Sequence, residues 1–242
     1  MRCFRGRSPH GVSRVFFFNP LIPYSAMTYT ADFPEPYDKT LDNLPMVLMR
    51  HDAPERFSLL LQGGFLMPVP EPCTLREFLC ELVGVCGVYT EKSIQTIFLD
   101  GLAIDDLDTA MIKPGVRLAL SAAMPGLAGA TMRRGGYYRK MREGISQKVL
   151  DGAEISAKEA FRLQVRLYNA VGRDLAGLFL HLGILVPTSD FKKFLASQPP
   201  NFFNHLHAVE LDGVPLPHTQ DAVDSWPLPE GYLGLRVADV QR

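Results

Sequence analysis

The chain has 242 residues, of which 47% are hydrophobic and 21% are charged, and its formal net charge is −1. These are ordinary values for globular proteins, so we expect one or two domains that each bury a core. The balanced charge does not favour nucleic acid or anionic lipid as a partner. No apolar run reaches the about 18 residues of a membrane-spanning helix, so we expect no membrane segment.

Residues 1–52 are predicted to form an N-terminal arm. Several arginines precede the apolar stretch from Val15 to Ile22, an order that resembles a signal peptide. Asn19-Pro20 interrupts that stretch, and translation from Met27 is an alternative at least as well supported as secretion. Residues 27–52 are rich in Pro, Asp and Tyr and show no clear period, which predicts an extended and partly disordered arm.

Regular patterns begin at Phe57 and continue to residue 125. Gly63-Gly64 is a strong turn signal and predicts a hairpin between the first two strands of this region. Thr74 and Glu77 form a capping box, and the apolar spacing that follows predicts a helix over residues 75–85. Asp100-Gly101 and Pro114-Gly115 are further turn signals. The predicted strands are Phe57–Gln62, Phe65–Val69, Ile94–Leu99 and Val116–Leu120.

This order of elements leads to a family resemblance. The stretch from Leu99 to Asp108, followed by Ile112 to Leu120, resembles the end of a ubiquitin-like β-grasp protein. It is most similar to the sulfur-carrier proteins of molybdopterin and thiamine synthesis, which share the Asp-rich crossing and the last alternating strand. The resemblance covers about residues 55–130 and includes no catalytic signature. It implies an α+β domain over residues 53–125, with a mixed sheet packed on one helix.

Residues 157–242 repeat the pattern. Leu99-Asp100-Gly101-Leu102 matches Leu211-Asp212-Gly213-Val214, and the later landmarks recur after about 112–116 residues, which predicts a domain duplication. Thr188, Ser189 and Asp190 are good cap residues for a helix that carries Phe191, Phe194 and Leu195. The last strands do not align in phase, which indicates a bulge or a shifted register. The predicted strands are Phe161–Tyr168, Ala176–Val186 as its hairpin partner, Ala208–Leu211 and Gly231–Val237.

The linker over residues 126–156 is rich in glycine and basic residues, and we expect a short helix within it. Its candidate anion- or partner-binding residues are Arg133, Arg134, Gly135, Gly136, Tyr137, Tyr138 and Arg139. Glycines let backbone N–H groups approach an anion that arginines neutralise, although no P-loop or GxGxxG pattern is present. Alternatively, the two tyrosines stack on a nucleic acid. A third interpretation is a solvated or packed connector.

The resemblance also suggests a sharper hypothesis for the linker. Sulfur carriers and ubiquitin act through a C-terminal Gly-Gly tail, and Arg133-Arg134-Gly135-Gly136 is similar to such a tail. The chain continues past Gly136 to Arg242, so a carrier role would require cleavage after Gly136.

Histidines, carboxylates and cysteines offer weaker signals. His205 and His207 would share one face of a strand, where His181 or His218 could join them, but their spacing indicates no third metal ligand. His51-Asp52 could support acid–base chemistry, although no nucleophile lies nearby in the sequence. Asp105, Asp106 and Asp108 lack the spacing of a calcium loop. The cysteines (Cys3, Cys73, Cys80 and Cys86) form no close pair, which favours reduced thiols.

The sequence therefore predicts an α+β protein of tandem ubiquitin-like β-grasp domains that acts as a non-catalytic protein-interaction or scaffold protein in the cytoplasm. We expect a protein partner, no cofactor and no metal, and no nucleic acid. The alternative is a sulfur-carrier-related or cofactor-assembly protein whose linker contacts an anion or a nucleotide-handling partner. An enzyme with a site between the two halves is the third hypothesis.

Overall fold

A computed structural model describes residues 44–145 and 160–238, all of which lie in one compact unit, Phe33–Val240. The fold is mixed α+β. The strands are β1 (Met46–His51), β2 (Phe65–Val69), β3 (Cys73–Thr74), β4 (Thr96–Leu99), β5 (Leu102–Ala103), β6 (Met111–Ile112), β7 (Arg117–Ser121), β8 (Phe161–Tyr168), β9 (Ile184–Pro187), β10 (Leu206–Leu211), β11 (Val214–Leu216) and β12 (Tyr232–Ala238).

Helices fill most of the connections between these strands. The α-helices are α1 (Ser58–Gly63), α2 (Leu75–Glu77), α3 (Gly87–Lys92), α4 (Gly126–Met132), α5 (Asn169–Asp174), α6 (Ala176–Leu182), α7 (Thr188–Ala196) and α8 (Pro200–Phe203). A π-helical turn over Phe78–Leu82 continues α2. Short 3-10 segments cover Pro54–Phe57, Tyr137–Ile145 and Gln220–Ser225.

Strands from both predicted halves form one mixed sheet of ten strands in the order β11-β10-β1-β12-β9-β2-β8-β7-β4-β5. The first strand of each half lies among strands of the other half. β1 lies between β10, to which it is antiparallel, and β12, to which it is parallel. β8 in turn lies between β2 and β7. The two halves are therefore joined by exchanged strands, and β2 meets β9 where Leu66 pairs with Leu185.

One face of this sheet carries the hydrophobic core. Alternate residues along each strand point to this face, for example Val47 and Met49 in β1 and Leu163 and Val165 in β8, and all four are fully buried. The helices cover them with aromatic side chains such as Phe179, which contacts Phe65 with ring centroids 5.3 Å apart. Most buried apolar residues of both halves belong to one continuous cluster.

The opposite face of the sheet is outside that cluster. Of its apolar residues, Leu48, Leu66 and Phe98 are partly buried and Leu185 is fully buried, and none of these four belongs to the core cluster. Between them stand polar and charged positions that alternate with the core residues. We call this surface the open face.

Several sequence predictions are confirmed. Thr74 and Glu77 form the capping box in full, with the Glu77 carboxylate accepting from the Thr74 N–H at 2.8 Å. The strand over Phe161–Tyr168 has the predicted bounds. Both Asp-Gly pairs turn hairpins, since Asp100 and Asp212 have φ of 52° and 50° while each following glycine has 80°.

Other predictions are wrong. Phe57–Gln62 is not a strand, because this segment ends a 3-10 turn and begins α1, so no hairpin precedes β2. Ala176–Val186 is mostly helix, with only its end in β9. The structure adds that residues 46–51 of the predicted N-terminal arm form β1, an interior strand of the sheet.

The predicted α+β class is present, with one large mixed sheet and several helices. The finer prediction of tandem ubiquitin-like domains over 53–125 and 157–242 is not confirmed. The last strands explain the mismatch of phase between the halves. β7 lies next to β4, the strand before the Asp100-Gly101 turn. β12 instead lies next to β9 and not next to β10, the strand before the Asp212-Gly213 turn, so the two last strands hold different places in their halves.

Candidate functional site

The linker packs against the first half of the chain as a compact element. Helix α4 is followed by two short 3-10 turns over Tyr137–Ile145, which meet at a kink at Arg142. Close packing explains one glycine here, because a Cβ at Gly129 would lie 1.8 Å from the Met124 carbonyl oxygen. Glycine at this position lets α4 pack closely against the backbone of the preceding segment.

Arg134 anchors the linker to the end of α3. Its backbone N–H donates to the Gln95 carbonyl at 2.7 Å. Its guanidinium donates to the Glu91 carboxylate at 2.7 Å and to the Thr90 carbonyl at 3.1 Å. The side chain is 8% exposed, and its Nη1 is buried without a hydrogen-bond partner among the described residues. Arg134 is thus directed into the protein.

Arg142 provides a second anchor and is more deeply buried, with a side chain 1% exposed. Its Nη2 donates to the Asp105 carboxylate at 2.7 Å, and its Nε donates to the Thr131 carbonyl at 2.8 Å. The Gly135 N–H donates to the same Asp105 oxygen at 3.0 Å. Asp105 therefore fixes the linker to the Asp-rich crossing at two points, Gly135 and Arg142.

The outer surface of the linker has the opposite character. Tyr137 is 91% exposed and Met141 is 68% exposed, and Leu127 and Tyr138 are also exposed. The two tyrosine rings form an edge contact with centroids 5.2 Å apart. Arg133 and Lys140 are exposed as well. We call these six residues the linker surface: Leu127, Arg133, Tyr137, Tyr138, Lys140 and Met141.

The predicted binding residues are thus divided by the structure. Arg134 faces the protein interior, whereas Arg133, Tyr137 and Tyr138 face outward. The Arg139 backbone lies within the 3-10 segment. Gly135 and Gly136 form a tight turn, in which Gly135 has φ of 65° and the Gly136 N–H donates to the Arg133 carbonyl at 3.1 Å. This double glycine is not an extended tail.

The other aspartates of the crossing also have protein partners. Asp108 accepts two hydrogen bonds from the Arg76 guanidinium, which lower the pKa of its carboxyl group. Asp106 accepts from the Asp108 N–H at 2.8 Å. Among the described residues, no group of three or more His, Cys, Asp or Glu side chains is arranged to hold a metal ion.

A second polar cluster joins the end of β1 to the start of β10. Asp52 Oδ1 lies 2.6 Å from His205 Nδ1, and Asp52 Oδ2 lies 3.2 Å from His207 Nε2. Arg56 Nη2 lies 3.3 Å from His205 Nε2. Because a guanidinium can only donate, His205 accepts at Nε2 and donates from Nδ1 to Asp52. Burial alone would raise the pKa of Asp52, but hydrogen bonds from His207 and His205 outweigh it and lower that pKa.

His51 is the fully buried member of this region. Its Nδ1 accepts from the Ala53 N–H at 3.0 Å, and its ring packs on Phe202 at a centroid distance of 4.5 Å. Burial lowers the pKa of His51 to about 4, although the Asp52 charge acts in the opposite direction. His51 is therefore neutral at pH 7.

The thiols of the described region are free. Burial raises the pKa of Cys73 to about 12 and also raises the pKa of Cys80. Thiols with raised pKa values hold little thiolate at pH 7 and are poor nucleophiles. Within the same residues, no helix has the length and apolar character needed to cross a bilayer.

Comparison with protein-family models, curated proteins and solved structures found no match to this chain.

Sequence reasoning found the linker but not the orientation of its side chains. It placed His205 and His207 on one side, and both rings do contact the same carboxylate. It missed that this carboxylate belongs to Asp52, because Asp52 reaches the histidines only through the exchange of β1. The open face was also missed, although the alternation in Phe161–Tyr168 already directs Arg162 and Arg166 away from the core.

Proposed function

We propose that this protein is a non-catalytic protein-interaction or scaffold protein, built from two ubiquitin-like halves, and that the linker surface is where its protein partner binds. The observation that carries this proposal is the inverted polarity of the linker. Arg142 is buried, whereas Tyr137 and Met141 of the same segment are exposed. Folded proteins ordinarily place these residue types the other way round.

The rigidity of the linker supports the same proposal. The anchors at Glu91 and Asp105 fix the linker on two sides, so its exposed aromatic groups lose little conformational freedom when a partner binds. Exposed tyrosine and methionine are enriched in protein interfaces. The neighbouring Arg133 and Lys140 favour a partner surface that is apolar at its centre and acidic at its rim.

The edges of the sheet offer less to a partner. β5 has two residues, and β11 has three, of which the middle one is Pro215. Proline cannot donate a ladder hydrogen bond, and short edges resist the addition of a strand. A shallow groove between α1 and α7 contains Asp190 and Lys193, which pair with each other at 3.6 Å.

Affinity capture from the native host tests the proposal, with partners identified by mass spectrometry. The test variant is Tyr137→Ser with Met141→Ser. The matched control is Leu59→Ser, because Leu59 is 66% exposed on α1. We expect the test variant to lose specific partners that the wild type and the control retain. Capture of the same partners by all three proteins would contradict the proposal.

A further inference from the structure

The open face concentrates positive charge that the whole chain does not show. The charged residues that point outward from β1, β2, β4, β7 to β10 and β12 are Arg50, Arg117, Arg162, Arg166, Arg236 and Glu210. The formal net charge of the chain is −1. Acidic residues elsewhere thus mask a local excess of arginine on one surface.

Arg166 and Arg236 hold equivalent positions in the two halves. Arg166 follows Val165, which pairs with Phe65 at the start of β2, and Arg236 follows Leu235, which pairs with Ile184 at the start of β9. Between these two arginines lies the Leu66–Leu185 pair at which the halves meet. β8 and β12 are three strand spacings apart, or about 14 Å.

Among the described residues, Arg166 and Arg236 lie beside neutral groups. The Arg236 Nε donates to the His181 carbonyl at 2.9 Å, and the Arg166 side chain lies over Gly64, where a Cβ would approach its Nε to 3.2 Å. No carboxylate of the described residues lies within ion-pair distance of Arg50, Arg166 or Arg236. Arg117 Nε lies 3.9 Å from Asp100 Oδ1, and the Arg117 side chain is 70% exposed.

Aromatic residues accompany this charge. Tyr232 is exposed on β12, the strand of Arg236, and Phe98 is partly exposed on β4 beside β7. From Arg50 in β1 to Arg117 in β7 the sheet extends over five strand spacings, or about 24 Å. Guanidinium groups bind phosphates in a bidentate manner and also stack on bases, and aromatic rings on a flat sheet stack on unpaired bases.

We propose that the open face binds single-stranded nucleic acid, with the arginines contacting phosphates and Tyr232 stacking on a base. Guanidinium groups bind phosphates and carboxylates alike, so the choice of a nucleic acid over an acidic protein rests on Tyr232 and on the arginines, which can stack on unpaired bases. This site is separate from the linker surface, so either proposal can fail alone.

Fluorescence anisotropy with the full chain and a labelled single-stranded RNA of about 12 nucleotides provides the test. The test variant is Arg166→Gln with Arg236→Gln. The control is Arg133→Gln with Lys140→Gln, which removes the same charge from the linker surface. We expect the test pair to weaken binding about tenfold and to reduce the salt slope by about 1 to 2, while the control keeps wild-type affinity.

A third variant separates stacking from general attraction. Tyr232→Ala is expected to weaken binding roughly tenfold, and Tyr232→Phe is expected to restore it. Circular dichroism of each variant checks that the fold is kept. The proposal is overturned if the RNA does not bind at low salt, or if the control pair weakens binding as much as the test pair. Equal affinity for polyglutamate or for duplex DNA would also overturn it.

Discussion

Val47 in the first strand of the described chain pairs in parallel with Leu235 in the last one. This pair lies in the interior of the sheet, because β10 flanks β1 on the other side. Each half thus completes its part of the sheet with a strand from the other half, and neither half holds its own first strand.

The exchange predicts how fragments of the chain behave. A fragment of residues 1–150 and a fragment of residues 151–242 should each fail to fold alone, because each lacks a central strand and exposes the core residues beside it. Mixed or co-expressed, they should form a stable complex. Size-exclusion chromatography and circular dichroism measure both outcomes. Two fragments that fold cooperatively in isolation would show instead that the halves are independent domains.

His51 predicts a specific dependence of stability on pH. Its pKa is lowered to about 4 in the folded state, whereas an unfolded histidine has a pKa near 6.5. Between these values the unfolded state binds more protons, so the free energy of unfolding falls as the pH falls from about 6.5 towards 4. The loss attributable to His51 should reach about 2 kcal/mol at pH 5. Urea titrations at pH 7 and pH 5 measure it.

The variant His51→Gln removes this titration, because glutamine stays neutral at both pH values. Its loss of stability between pH 7 and pH 5 should be smaller than that of the wild type. His218→Gln is the control, since His218 is exposed in the loop after β11. Equal pH dependence in wild type and His51→Gln would show that His51 is protonated without cost in the folded protein.

The packing around Gly129 leaves no room for the side chain of alanine at this position. A Cβ there would lie 1.8 Å from the Met124 carbonyl oxygen, so the backbone must move. Gly129→Ala should lower the free energy of unfolding by about 1–3 kcal/mol, the range of overpacking effects. Gly63→Ala is the matched control, because nothing lies within 4 Å of a Cβ at Gly63. Thermal unfolding of both variants makes the comparison, and equal melting temperatures would contradict the packing described for α4.

Caps and turns were the parts of the fold that could be predicted from the sequence. The capping box of Thr74 and Glu77 needs only four consecutive residues, and the left-handed turn at Asp100-Gly101 needs only two. The segment Ser58–Gly63 could not be assigned in this way, because a short apolar run fits a buried strand as well as a helix. Tertiary packing decides that it forms α1, with Leu60 and Leu61 buried.

Local patterns could not specify which strands pair with one another. The alternating residues of β1 fit any half-buried strand and carry no information about which strands flank them. The link between Asp52 and His205 depends on that choice, as does the meeting of Leu66 with Leu185 on the open face. The linker arginines are similar, since only the fold reveals that Arg142 faces Asp105 while Arg133 faces solvent.

The intact mass of the protein from its own host tests the carrier hypothesis. Gly135 and Gly136 form a turn held to Asp105, so a protease would have to open the linker before it could release a Gly-Gly end. We therefore expect a mass that continues beyond Gly136. A species that ends at Gly136 would instead favour a processed sulfur carrier.

The buried contacts of Arg142 hold the linker in place, so their removal should loosen it. Arg142→Ala leaves the Thr131 carbonyl and part of Asp105 without their donor, so the free energy of unfolding should fall by about 1–3 kcal/mol. Because the linker is rich in trypsin sites, the variant should also be cleaved within residues 126–145 faster than the wild type. Arg133→Ala is the control, since Arg133 is exposed and its loss removes a trypsin site without removing an anchor. Equal rates of linker cleavage in wild type and Arg142→Ala would show that Asp105 and Arg142 do not hold the linker in place, and the rigid linker surface proposed for partner binding would lose its main support.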